Sequence, residues 1–172
     1  MSKYWDVLQN INDQIRFADA KAGVILAFSG GSAAFLAGKI DLVHNIIVAN
    51  RGAVSSWVLY VAFFGYGAFL VVTAYLAFKS ILPALGKGDT RSLIYFKHIC
   101  EDYGKDHSRY AKELAALSDE AMEAELAHQI CANSDIATTK FDHITRAMRC
   151  LAWMGAFWAA TIFMLFILGT VS

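Results

Sequence analysis

Three groups of residues have types and spacings that invite chemistry. Glu125-x-x-His128 is half of the pattern by which helical bundles hold two metal ions. His98, Glu101, Asp102, Asp106 and His107 gather metal-ligand types, and His98, Asp102 and Asp106 share a face at i, i+4, i+8 if that stretch is one helix. Asp19 and Lys21 stand in "RFADAKAGVILAFSGG" (Arg16–Gly31), at the threshold of an apolar run. The first group needs a second ExxH, and the chain has none. The second is interrupted by Gly104 and Lys105, which read as a solvated, frayed stretch. Cys100, Cys131 and Cys150 are odd in number and widely spaced, with no CxxC, so they read as idle thiols. There is no GxGxxG or P-loop, and no spacing argues for a Ser-His-Asp or Cys-His arrangement. The expectation is a protein that is not an enzyme, with no metal and no cofactor.

The threshold group depends on the elements around it. Of 172 residues, 57% are hydrophobic and one is proline, a composition more apolar than a soluble domain of this size. Fifteen basic and fifteen acidic residues cancel, so net charge gives no case for a nucleic-acid partner. Three uncharged apolar runs, 22–38, 57–78 and 151–171, approach or exceed the roughly 20 residues that span a bilayer. The first fifteen residues lack the basic start and apolar middle of a cleavable signal. Lys3, Arg16 and Lys21 precede the first run, ten basic residues lie between the second and third, and only Lys39 and Arg51 lie in the first loop. By the positive-inside rule the N-terminus and the central segment face the cytoplasm and the C-terminus lies outside.

Residues 1–21 then form a cytoplasmic helix with an apolar stripe, Tyr4, Leu8, Ile11 and Ile15, leading into the first span. Residues 79–150 form a helical cytoplasmic sensor. Thr90 is placed to cap a helix through "RSLIYFKHICEDYGKDHSRYAKELAAL". Ser118, followed by Asp119 and Glu120, starts a second one. Met122, Leu126, Ile130, Ala137, Phe141, Ile144 and Met148 keep helical spacing, and neither proline nor glycine interrupts the chain between Gly104 and Gly155. One long helix therefore continues into the third span. The fold class is an all-α membrane protein: three transmembrane helices with helical cytoplasmic extensions forming a bundle or stalk, a single unit over 1–172. The apolar stripes need cover, which points to a homo-oligomer in contact with membrane lipids.

Asp19 and Lys21 lie about 200° apart on one helix, so they do not pair with each other. Asp19 shares a side with Arg16 and with a ribbon of small residues, Gly23, Ala27, Gly30, Ala34 and Gly38, of the kind that lets membrane helices approach closely. Lys21 shares the other side with Phe17, Ile25, Phe28 and Phe35. Asp19 is read either as a structural ion pair or, with Arg16 and Lys21, as a coupling or gating site at the membrane surface. Lys21 alone is a headgroup anchor on the plainer reading.

Three blocks carry a family resemblance: "FADAKAG" (Phe17–Gly23), "IYFKHI" (Ile94–Ile99) and "ELAHQICANSDIATTKF" (Glu125–Phe141). In this order, with the spans between them, the chain resembles the transmembrane effectors of bacterial Pycsar anti-phage systems, the PycTM-domain proteins. The resemblance implies an immune effector of the inner membrane. A partner cyclase makes a cyclic nucleotide, cyclic UMP or cyclic CMP, during infection, and the effector responds by impairing the membrane until the cell stops growing or dies.

The matching blocks supply Lys21, Tyr95, His98, His128, Gln129, Asn133 and Lys140 as candidate ligand residues. Lys21 and Lys140 suit a phosphate, Gln129 and Asn133 the edge of a base, and Tyr95 or Phe96 its face. Gln129, Asn133, Ala137 and Lys140 share one helical stripe, which reads equally as a polar interface; His98 and His128 read equally as satisfied structural histidines. The competing reading of the whole is a constitutive membrane scaffold or toxin-like interaction protein with no nucleotide ligand.

Overall fold

A computed structural model describes residues 2–50, 52–82 and 92–169. They form six helices: α1 Ser2–Ala37, α2 Ile40–Ala49, α3 Val54–Ile81, α4 Phe96–Tyr103, α5 His107–Ala115 and α6 Asp119–Gly169, with no strand among the described residues. The chain is an all-α protein, and α1, α3 and α6 are each long and apolar enough to cross a membrane. Contacts divide it into two units, residues 1–18 with 83–140 and residues 19–82 with 141–172.

In the first unit α6 starts where its sequence dictates. The Ser118 hydroxyl accepts the Ala121 N–H at 3.2 Å, and Asp119 and Glu120 occupy the first turn. α6 then runs 51 residues without a break. The stretch before it is not the single helix that its length suggested. Gly104 takes φ +53°, a left-handed conformation that ends α4 at Tyr103, and Asp106 caps a separate α5. His98, Asp102 and Asp106 are therefore not three turns of one face. The expected Thr90 cap lies outside the described residues.

The second unit mixes small and hydroxyl-bearing residues with apolar ones inside and turns large apolar side chains outward. α3 buries Ser56, Leu59, Ala62, Tyr66, Thr73, Ala77 and Ser80 and exposes Trp57, Val61, Phe64, Val71, Tyr75 and Phe78. A helix surrounded by hydrocarbon gains nothing by hiding apolar groups, so close packing and hydroxyl contacts decide what faces inward. Leu36, Tyr66 and Met154 form one packed cluster with Phe69 and Phe157 against them. A Cβ on Gly65 of α3 would meet the Phe157 ring of α6 at 2.7–3.0 Å, so glycine is what admits that ring.

One feature departs from the sequence reading. The first loop holds a helix, α2, whose Val43 and Ile46 bury against Leu59 and Leu165. The ribbon Gly23, Ala27, Gly30, Ala34 and Gly38 is exposed within the chain, and a Cβ at Gly23 or Gly30 would meet nothing within 4 Å.

Candidate functional site

Side-chain amides of α6 and α1 form a ladder in the first unit. Gln129 Nε2 donates to Asn133 Oδ1 at 2.9 Å, and Asn133 Nδ2 donates to Asn12 Oδ1 at 2.8 Å. All three are half-buried. The expected polar stripe is thus joined at Asn133 to the chain's own first helix. Beside it on α1 runs an open groove of about 320 Å³, lined by Trp5, Leu8, Gln9, Asn12, Asp13 and Arg16. Trp5, Gln9, Asn12 and Arg16 recur at spacings of four, three and four, one helix face, and this is the signal by which sequence reasoning could have found them. The groove offers an indole face, amides and a guanidinium. Arg16 Nη1 sits 3.4 Å from Asp13 Oδ1 in a highly exposed pair, weak enough for a phosphate to displace.

A second cluster surrounds Ser92. Its N–H donates to His98 Nδ1 at 3.0 Å, and its hydroxyl donates to Glu125 Oε2 at 2.7 Å. An accepting Nδ1 leaves the ring proton on Nε2. Tyr95 meets His98 edge to face at 4.9 Å. The imidazole therefore meets the serine's backbone N–H and not its hydroxyl, which donates to the Glu125 carboxylate. Glu125 belongs to the ExxH pair, whose His128 is exposed.

Lys140 is buried at 6% exposure. From Glu125 to Lys140 the helix rises about 22 Å, and from Asn133 to Lys140 about 10 Å. One cyclic mononucleotide is too short to touch Tyr95 and His98 at one end and Lys140 at the other, so the candidate ligand residues divide into separate places along α6. In the second unit, Asp19 is half-buried and Lys21 Nζ lies 5.9 Å from the Phe141 ring centre, within cation–π reach. The cavity of about 400 Å³ between Val24, Ile25, Phe28, Met148, Leu151, Ala152 and Gly155 is apolar and has no group for a phosphate.

α4 and α5 close on each other through polar contacts. Glu113 accepts from Tyr103 Oη and, at 3.0 Å, from Arg109 Nε, while Tyr110 Oη donates to Leu93 O at 3.0 Å. The Asp106 carboxyl is held below its ordinary 3.8, first by the Arg109 N–H and then by the Ser108 hydroxyl, both of which donate to it. A depressed carboxyl pKa stabilises the fold above the unfolded value and loses that contribution as pH falls through the folded one. Asp106→Asn keeps the cap without the titration, so its stability should fall less steeply than the parent's as pH drops below about 4. Thermal melts from pH 5 to pH 2 measure the difference.

The Pycsar effector protein domain, PycTM, matches residues 3–167 of this chain. The Pycsar effector protein PtPycTM of Propioniciclava tarda is 26% identical over 145 residues, a match covering 80% of this chain and 66%, just under two thirds, of that relative. No solved structure matches. With three membrane-length helices and a domain match that runs almost end to end, the chain belongs to the PycTM family of Pycsar effector proteins.

Proposed function

We propose that this protein is an antiphage effector that binds a cyclic nucleotide and in response impairs the bacterial inner membrane. The observation that carries the reading is the continuity of α6, because Gln129, Asn133, Lys140 and the third apolar run all belong to one unbroken helix. A change of packing at the amides is carried by the same helix that continues into the third apolar run. The N-terminus and residues 79–150 face the cytoplasm, where a partner cyclase delivers cyclic UMP or cyclic CMP, and the C-terminus lies outside. Asn133, Gln129 and Asn12 read the base edge, and Lys140 or Arg16 meets the phosphate. The outward small-residue ribbon of α1 supports a homo-oligomer in the lipid, since such ribbons receive a second helix closely. Summed over subunits, ligand binding must supply about 5.5 kcal/mol of preference to reverse a 99:1 population.

Thermal unfolding in detergent against a panel of cyclic mono- and dinucleotides tests the reading. A ligand at about 100 times its Kd adds about 2.7 kcal/mol of apparent stability, and it should also release dye from liposomes carrying the protein. Lys140→Met keeps the aliphatic stem and removes the charge, so it should raise the concentration needed by about 10-fold or more. Absence of any shift from a folded protein would favour a constitutive scaffold, for which the closed contact between Asn133 and Asn12 is the supporting observation.

A further inference from the structure

Several hydroxyl-bearing residues of the membrane unit are buried inside the three-helix bundle. Tyr66, Thr73 and Ser80 recur every seven residues on the buried face of α3, a rise of about 21 Å out of the roughly 30 Å of hydrocarbon. Ser29 and Ser32 of α1 and Thr161 of α6 are buried as well. Some of these groups are satisfied within the protein. Ser32 Oγ donates to Ser29 O at 2.9 Å and lies 3.0 Å from Tyr66 Oη, and Thr161 Oγ1 donates to Phe157 O at 2.8 Å.

Others are not. Ser29 Oγ, Thr73 Oγ1 and Trp158 Nε1 are buried without a hydrogen-bond partner. Serine and threonine on a helix have a standing remedy, donation to a carbonyl of the preceding turn. Ser134, Thr138, Thr139 and Thr161 all take it, whereas Ser29 and Thr73 do not. Ser29 is 2% exposed and Thr73 is 0% exposed, so lipid headgroups do not reach them. An unpartnered polar group is costly in hydrocarbon, and water is the small donor and acceptor that serves such a site.

Toward the other end of α3 the lining changes. Leu59, at 0% exposure, packs with Val43 and Ile46 of α2 and Leu165 of α6, and Phe63 and Met164 close around them. Apolar constrictions of this kind stop ions and water by staying dry.

We propose that the bundle interior is a hydrated polar seam, from Ser80 through Thr73 and Ser29 to Ser32 and Tyr66, and that α2 holds an apolar plug over its far end. The seam is then the path by which protons and small ions cross when the plug separates. This deepens the reading of the chain as a membrane-impairing effector and rests on it for the trigger alone; the path itself is tested without a nucleotide.

Ser29→Cys and Thr73→Cys, each in a full-length protein whose Cys100, Cys131 and Cys150 are replaced by Ser, are reconstituted into phosphatidylcholine vesicles and exposed to silver ion. Val24→Cys and Val71→Cys on the lipid-facing surface are the controls. Thiols react as thiolates, which form in water and not in lipid, so the seam cysteines should react at least about 10-fold faster than the controls. Equal or slower reaction overturns the hydrated seam. In the second arm Leu59→Ser, with Ile46→Ser as the alternative where the first does not fold, should raise proton leak through the vesicles at least about 10-fold with no nucleotide present, by wetting the plug. Folded plug variants as tight as the parent overturn the conducting path. A reactive seam and a leaky plug variant in a protein that ignores every cyclic nucleotide would support the seam and remove the effector reading.

Discussion

Gly65→Ala should lower thermal stability in detergent by about 1–3 kcal/mol, the usual cost of forcing extra atoms into a packed interior, and Gly65→Leu should prevent a stable bundle from forming. The added Cβ would stand 2.7 Å from Phe157 Cε1, 2.8 Å from Cδ1 and 3.0 Å from Cζ. The ring has little freedom to retreat, because Phe69 stacks on it with centres 5.6 Å apart and the Leu36–Tyr66–Met154 cluster packs against it. Lipid offers no hydrophobic gain that could hold the loosened helices together, since its tails are as apolar as the side chains. Phe157→Leu makes room. In the Gly65→Ala background it should recover most of the loss, although alone it costs stability by leaving a cavity. A double-mutant cycle reads the coupling directly, and additive effects would show that the close approach of α3 and α6 is not what Gly65 serves.

What the sequence told and what it withheld divide along physical lines. The Ser118 cap and the unbroken α6 were legible because local preferences and a sustained period agree. The break at Gly104 was readable as weakness, but its left-handed backbone, which makes two helices of one, depends on α5 folding back through Tyr110 and Glu113. α2 is not legible as a helix in the sequence because it is short and its apolar residues are not confined to one face: Ile40, Leu42 and Val48 are exposed while Val43 and Ile46 are buried. Only Leu59 and Leu165, distant in sequence, give it a place. Small residues announced a stripe on α1 without saying which surface it serves, and the tight intramolecular contact went to Gly65 instead. In the candidate site, Gln129 and Asn133 were visible at i, i+4, whereas Asn12, 121 residues before Asn133, carries no local sign of its partner.

Asn133→Leu should destabilise the first unit by about 1–3 kcal/mol for each partner left without a hydrogen bond, and it strands both Gln129 Nε2 and Asn12 Oδ1. This loss alone does not say what the ladder is for, because a clamp between α1 and α6 and a base-reading edge fail alike. The pair Asn12→Leu with Asn133→Leu separates them. Replacing both members of a hydrogen bond by apolar groups of similar shape is close to neutral, so the double variant should regain the share of the loss that came from Asn12, about half, while Gln129 Nε2 stays without its acceptor. A clamp asks for nothing more, and a protein using the amides only to hold two helices would keep its full response to cyclic nucleotide. A base edge read by amides has no apolar substitute. The double variant should then melt above the Asn133→Leu single variant yet need at least about 10-fold more nucleotide than the parent for the same stabilisation, because an unmatched polar edge of the base would be buried against leucine. Recovery of stability without recovery of response assigns Asn12 and Asn133 to the ligand, and recovery of both assigns them to the helix pair.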